Sequence, residues 1–406
     1  MRILHTSDWH LGRSLEGRDR IEEQQKFIVE ICDIADQEQV DLVLIAGDIF
    51  DTSNPSAKAE QLFYQGLYDL TQGGRRGVVV IAGNHDNPER LRASNPLADQ
   101  MGITLIGLPK DNIYTGFSKN RVKTVASGIG WLEIAIDSCE HHAVIIALPY
   151  PSEQRLREMF VESLDEEAMQ RSYSQRVGGF LEERVQHFRK DTVNLCTSHL
   201  FVRGSKESDS ERPIQLGGAC TVDKEMLPLE AQYIALGHLH RPQRVGSHGN
   251  IRYSGSPLAY SFSEVGHSKS VYLVECLPGA EALVREIPLT SGRPLVKWDA
   301  PGGLAQVFKW CEENRDVEAW IDLSIHVQEP LQAQKIKKLR EIRPGIIHIR
   351  PILPEMDRVL KLENRINLPV EKIFRQFYYK TYSTEPNEDL VKLFLQLLED
   401  EEEEIS

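Results

Sequence analysis

Val40-Asp41-Leu42-Val43-Leu44-Ile45-Ala46-Gly47-Asp48-Ile49-Phe50-Asp51 reads as a short buried strand that ends on a glycine and hands over two carboxylates. A continuous apolar run of this length suits a strand covered on both faces. The glycine lets the chain turn sharply where it leaves the sheet. The same pattern occurs on either side. The run Arg2–Thr6 leads to Asp8-Trp9-His10, and Val78–Ala82 leads to Gly83-Asn84-His85-Asp86. Further runs at Ala143–Leu148, Val193–Thr197 and Tyr233–Leu236 follow, the last two leading into Ser198-His199 and Gly237-His238-Leu239-His240. Residues 20–38 and 56–72, between the first three runs, have helical periodicity. Strands alternating with helices predict an α/β core, with Ile251–Ser254 and Ser270–Glu275 as additional mixed-sheet strands.

Five strand ends thus each deliver a carboxylate, an amide oxygen or an imidazole, and groups beyond the carboxyl ends of strands can converge in one crevice. The convergent set is Asp8, His10, Asp48, Asn84, His199, His238 and His240. This is more than one tetrahedral zinc needs, and it suits two divalent ions roughly 3.5–4 Å apart that clamp an in-line phosphoryl displacement. Mixed imidazole and carboxylate ligands favour Mn, Fe, Zn or Co over Ca or Mg. Taken singly, each motif has an ordinary reading. D-x-H arises by chance, G-D-x-x-D can be a turn, and a histidine can be a satisfied core residue. Together, in this order and at these strand ends, they point to a metal centre. His5, His141, His142, His248, His267 and His326 have no such company and receive no role.

The remaining features set bounds. A chain of 406 residues predicts a large domain with smaller ones appended. No window approaches the ~18–20 apolar residues of a membrane span, and the opening residues read as a first strand and not as a signal peptide. Six scattered cysteines without C-x-x-C spacing predict free thiols in a reducing cytoplasm. The net charge of −14 argues against whole-surface nucleic-acid binding without excluding a local contact. Pro278-Gly279 is the expected boundary of the first domain, residues 1–278. A β-α-β-α-β unit over residues 279–355 should follow, opening with a strand at Leu283–Pro288. In the last segment, 356–406, Val370, Ile373, Phe374, Phe377 and Tyr378 share one helical face. Leu390, Leu393, Phe394, Leu397 and Leu398 share another, before the acidic run Glu399–Glu404. Two such helices either fold back on their own domain or dock into a partner's groove.

The ordered motifs D-x-H, G-D-x-x-D, G-N-H-D, a lone histidine and G-H-x-H resemble those of the calcineurin-like metallophosphoesterase superfamily. Leu4-His5-Thr6-Ser7-Asp8-Trp9-His10-Leu11-Gly12 and Tyr253-Ser254-Gly255-Ser256-Pro257 bring the chain nearer to the bacterial SbcD-type nucleases. The resemblance implies an α/β sandwich of two mixed sheets flanked by helices, a small α+β capping domain and a C-terminal helical partner-binding segment. It implies Asp8, His10 and His240 on one metal, Asn84, His199 and His238 on the other, and Asp48 bridging. His85 would be the catalytic histidine and Asp51 a carboxylate that orients it. It further implies manganese-dependent cutting of DNA ends and hairpins, a homodimer within a heterotetramer, and an SMC-like ATPase partner of the SbcC type, all in the cytoplasm. Arg13, Arg203, Lys206 and Arg212 are DNA-contact candidates by position. Another phosphoesterase activity, on phosphoproteins or cyclic nucleotides, and a non-catalytic repair scaffold are the competing readings. Asp51 is followed by Thr52-Ser53-Asn54, with no phosphate-gripping arginine.

Overall fold

The computed structural model describes residues 1–113, 121–156, 172–211, 220–246, 249–353, 370–382, 386–388, 390–391 and 393–394. The first strand, β1 (Arg2–Thr6), lies parallel to β2 (Leu42–Ala46), which is buried at every position. β3 (Gly77–Ile81) and β4 (Ile103–Ile106) continue the parallel order on one side. β14 (Ser270–Glu275) and β15 (Leu283–Pro288) add antiparallel strands on the other, giving the order β15-β14-β1-β2-β3-β4.

The second sheet has a parallel centre of β7 (Ala143–Leu148), β8 (Val193–His199), β11 (Tyr233–Gly237) and β13 (Ile251–Tyr253). β5 (Val122–Gly128), β6 (Trp131–Ile136) and β12 (Gln243–Arg244) are antiparallel additions at its edges. The full order is β12-β13-β11-β8-β7-β6-β5. Between β8 and β11 in the chain, β9 (Phe201–Val202) and β10 (Thr221–Val222) form a short parallel pair of their own.

Alternation within the fully buried strands builds four layers. Leu42 and Leu44 of β2 pack between the sheets against Ile145, Leu195 and Tyr233. Val43 and Ile45 face the other way, against Phe27 and Ile31 of helix α1 (Ile21–Gln37) and Phe63 and Leu67 of helix α2 (Ala57–Leu70). On the far side, Ile146, Cys196 and Ile234 cover Val177, Phe180 and Leu181 of the helix Tyr173–Val185. That helix is hard to read in the sequence because Gly178-Gly179 lowers its propensity. A β-carbon at Gly178 would meet Met226 Sδ at 2.7 Å.

One expectation is overturned. The strand Leu283–Pro288 does not open the appended unit. It pairs with β14 from Glu275↔Leu283 to Ser270↔Pro288, so Pro278-Gly279 lies within a connection inside the large sheet. Its largely exposed residues mark an edge strand, whose pattern does not reveal which sheet it joins. The small unit instead starts at β16 (Leu295–Ala300), followed by the helix Gly303–Glu312, β17 (Trp320–His326), the helix Ala333–Ile342 and β18 (Ile346–Ile352). All pairings in this β16-β17-β18 sheet are parallel. Trp298, Val307, Ile321, Leu323, Leu339 and Ile346 form its core.

The small unit sits on the first domain through Leu15, Phe262, Leu295, Trp320 and Ile347, which pack as one cluster. At its edge, Glu23 of α1 accepts from Arg20 Nη2 (2.8 Å), the Arg293 main-chain N–H (2.8 Å) and Trp320 Nε1 (3.0 Å). Arg20 also donates to Ala259 O at 3.0 Å. Near the C-terminus, Phe374 of the helix Val370–Tyr382 stacks on Phe394 with ring centroids 4.0 Å apart. Leu397, Leu398 and the acidic run Glu399–Glu404 lie outside the described residues. Among the described residues no helix is long and apolar enough to cross a membrane.

The interface yields a stability prediction. Glu23→Ala strands the buried Arg20 guanidinium, and removing one partner of a buried pair costs about 3–5 kcal/mol. Urea denaturation should therefore show a clear loss for Glu23→Ala and little change for Glu22→Ala one position away on the same helix.

Candidate metal centre

The carboxyl ends of both sheets open onto the same place. Asp8 and His10 follow β1, Asp48 and Asp51 follow β2, and Asn84 and His85 follow β3. His199 ends β8, and His238 and His240 follow β11. Bringing them together strains the backbone. Asp8, His10, Asp48 and His238 have φ of 54°, 45°, 51° and 107°, a region costly for side chains with a β-carbon. The loops also approach so closely that two positions exclude any side chain. A β-carbon at Gly83 would meet Asp48 Oδ1 at 2.1 Å, and one at Gly237 would meet Ala46 O at 1.9 Å.

All seven residues expected as ligands fall in one cluster. Asp8, His10 and His240 bring their polar atoms together, as do Asp48, His199 and His238. His10 Nε2 and His240 Nε2 stand 2.9 Å apart. The Asn84 amide oxygen lies 2.9 Å from His199 Nε2 and 3.0 Å from His238 Nδ1. Between the two groups, Asp48 Oδ2 is 3.7 Å from His10 Nε2 and 3.5 Å from His199 Nε2. Its other oxygen accepts from the His85 main-chain N–H at 2.9 Å. Asp8 is held by the His238 N–H at 3.0 Å and by the Ser7 hydroxyl.

These contacts call for positive charge inside the cluster. His199 donates from Nδ1 to Ala46 O at 2.8 Å, so its neutral ring points a lone pair at the Asn84 oxygen, itself an acceptor. Two such atoms need a positive species beside them. A proton can serve: burial opposes the charged ring, but Asp48 and Asp8 outweigh it and push His199 up to about 9. Burial pushes the Asp8 carboxyl up to about 8. Burial likewise drives His238 down to about 3, aided by His199. Asp48 is also opposed by burial, yet His199 and His10 hold it well below the usual carboxylate range. Ligands each ~2.1 Å from an ion stand ~3–3.4 Å apart, close to the spacings seen. A mixed imidazole, carboxylate and amide set suits first-row divalent metals.

His85 lies at the mouth of the cluster, its ring edge-on to His10 at 4.8 Å. Its Nδ1 donates to the Asp51 main-chain oxygen at 2.7 Å, leaving Nε2 toward the cleft, 3.9 Å from Asp48 Oδ2. The expectation that the Asp51 carboxylate orients His85 is thus replaced by its carbonyl. The carboxylate turns instead toward Arg13 Nε (3.8 Å) and His10 Nδ1 (3.9 Å).

Several supporting residues carry no motif of their own. Asp86 accepts from the main-chain N–H groups of Ile49 (3.1 Å), Phe50 (2.9 Å) and Gly83 (2.8 Å), stitching two ligand loops together. Burial, then Asp48, pushes its carboxyl up to about 6. It is the last residue of G-N-H-D, and its place three residues after Gly83 is the signal that could have marked it. Tyr260 donates to Trp9 O at 2.5 Å and walls off His10, while Ser210 and Glu211 contact His240. No sequence signal marks these three, because their contacts span long separations.

The calcineurin-like phosphoesterase model matches residues 1–242, the region that supplies every residue of the cluster. The SbcD subunit of the SbcCD nuclease from Bacillus subtilis (strain 168) is 46% identical over 406 residues, covering 100% of this chain and 99% of its own length. The Escherichia coli (strain K12) protein of the same name is 30% identical over 393 residues, covering 93% of this chain and 92% of its own. Among solved structures, a dimetal phosphatase from Danio rerio covers 70% of this chain and 98% of itself at 13% identity and a TM-score of 0.35. The matched motifs and full-length relatives make this chain a metal-dependent phosphodiester hydrolase. It belongs to the calcineurin-like phosphoesterase family and, within it, to the SbcD nucleases.

Proposed function

We propose that this chain is the DNA-cutting subunit of an SbcCD-type complex, acting as a double-strand exonuclease and a single-strand and hairpin endonuclease at DNA ends. In this reading it serves replication, recombination and repair in the cytoplasm, at the nucleoid. The observation that carries it is the convergence of Asp8, His10, Asp48, Asn84, His199, His238 and His240 in one cluster, with His85 packed beside His10. Asp8, His10 and His240 would hold one divalent ion and Asn84, His199 and His238 the other, with Asp48 between them and manganese as the expected metal. When bound, such a pair supplies Lewis acidity toward a phosphate and ionises water near neutral pH. The protein's own part falls to His85. Anchored through Nδ1–H at the Asp51 carbonyl, it presents Nε2 to the leaving oxygen; the doubly protonated ring gives its Nε2 proton to the departing alkoxide and is left neutral, with the Nδ1 bond intact.

A source of positive potential for the DNA backbone lies next to the centre. Arg203, Lys206, Lys224, Arg241 and Arg244 line a cavity of about 530 Å³ together with Asp223 and Glu225. Arg203 pairs with Asp223 at 2.8 Å and Lys224 with Glu225 at 3.7 Å, whereas Lys206, Arg241 and Arg244 have no carboxylate partner among the described residues. On a chain of net charge −14 such an island favours a polyanion. Arg13 is committed to Ser210 O at 2.7 Å, and Arg212 lies outside the described residues.

The reading divides the chain into a nuclease unit, a capping unit that begins at β16 instead of residue 279, and a partner-binding segment over 356–406. Phe377 is 63% exposed on the helix Val370–Tyr382, an outward aromatic side chain suited to the coiled-coil base of an SbcC-type ATPase. A homodimer of this chain within a heterotetramer completes the proposed assembly.

Four outcomes are expected. His85→Gln keeps its metal content by elemental analysis but loses roughly 10²–10⁴-fold in oligonucleotide cleavage, while Asp48→Ala loses both metal and activity. A phosphopeptide assayed in parallel should stay intact; its hydrolysis in preference to DNA would support the phosphatase alternative, and absence of metal would support the scaffold. Lys206→Ala/Arg244→Ala should flatten the dependence of log K on log salt by roughly 2 if each cation meets one phosphate of duplex DNA. Truncation before Asn367 should abolish co-purification with the ATPase and leave metal-dependent cleavage intact.

A further inference from the structure

We infer that Ser208, Ser210 and Glu211 form a hydrogen-bonded clasp that positions His240 as a metal ligand. The inference rests on the metal-centre reading above. His240 turns Nε2 into the cluster, 2.9 Å from His10 Nε2, and Nδ1 away from it, 2.6 Å from Ser210 Oγ. For Nε2 to offer a lone pair to a cation, the ring proton must sit on Nδ1, which then donates to Ser210 Oγ.

The direction of every following bond is then set. Ser210 Oγ accepts from His240, so its single proton goes to Ser208 Oγ at 2.8 Å. Ser208 Oγ, accepting there, sends its own proton to Glu211 Oε2 at 2.8 Å. The same oxygen accepts the Ser208 main-chain N–H at 2.7 Å, and Glu211 Oε1 accepts the His240 main-chain N–H at 2.7 Å. The ring closes on the residue where it began: imidazole to hydroxyl to hydroxyl to carboxylate, and from the carboxylate back to the backbone of His240. Metal-binding histidines commonly lean on a carboxylate or carbonyl, which holds the tautomer and raises ligand basicity. Here two serine hydroxyls extend that support across the loop.

The loop is pinned independently of His240. Arg13 donates to Ser210 O at 2.7 Å, and the Asp209 N–H donates to Ser263 Oγ at 3.3 Å. Lys206 and Gln243 exchange two bonds of 2.9 and 2.8 Å. Ser210 is buried, so water does not readily replace its hydroxyl. Because the clasp touches His240 and none of Asn84, His199 or His238, it acts on the Asp8/His10/His240 half of the centre alone.

Isothermal titration of Mn²⁺ alone into the stripped full-length chain tests this, with Co²⁺ absorption as a spectroscopic readout of the ligand field. Ser210→Ala should weaken one of two binding events roughly 10–100-fold, leave the other in place and shift the cobalt bands. Ser210→Thr, which keeps a hydroxyl, should restore both. Ser208→Ala, one bond further from the ring, should give a smaller weakening of the same event. Melting of the stripped proteins identifies any variant that loses affinity by unfolding, and in that case the Ser208→Ala and Ser210→Thr titrations decide. Wild-type affinities in both alanine variants, or a threonine variant as weak as alanine, would overturn the clasp. A wild-type chain that takes up no Mn²⁺ would instead remove the metal-centre reading, and the clasp with it.

Discussion

Two buried carboxylates govern this structure. Asp8 and Asp48 are 0% and 2% exposed, and a carboxylate removed from water is tolerated only where positive charge or several N–H groups meet it. The fold answers with a backbone donor to each, from His238 and His85, adds the Ser7 hydroxyl at Asp8, and leaves the second oxygen of Asp48 facing the imidazoles of His10 and His199. Left-handed turns at strand ends, glycines with no room for a side chain, and the Asp86 stitch between loops all hold that geometry.

The centre also joins the two sheets. His199 closes β8 of one sheet and donates to Ala46 O, where β2 of the other ends. Gly237 lies against the same carbonyl. The hydrophobic layer between the sheets sets their separation, and the polar contacts at one end set their register. Chemistry and packing therefore depend on the same few ångströms.

How much of this was legible in the sequence differs by region. The buried parallel strands announced themselves as continuous apolar runs, and their ends carried the ligand residue types in plain order. What failed was where periodicity is ambiguous. Leu283–Pro288 is largely exposed, so only its pairing with β14 tells which sheet it joins. The β16 strand, with Lys297 and Asp299 between apolar residues, is ambiguous for the same reason. Around the centre, the ligands were readable but their supports were not. Asp51 acts on His85 through a main-chain oxygen that no side-chain motif encodes. Ser210 and Tyr260 reach the site by tertiary contact from loops without a pattern.

The first turn of α1 serves two masters. Glu23 ties the small unit down, while its neighbour Gln24, wholly buried, accepts from Gly12 N at 2.9 Å and donates to His10 O at 3.0 Å. One helical turn is thus the common anchor of the outer unit and of the loop that carries His10. A displacement of that unit would therefore reach the His10 loop through a single helical turn.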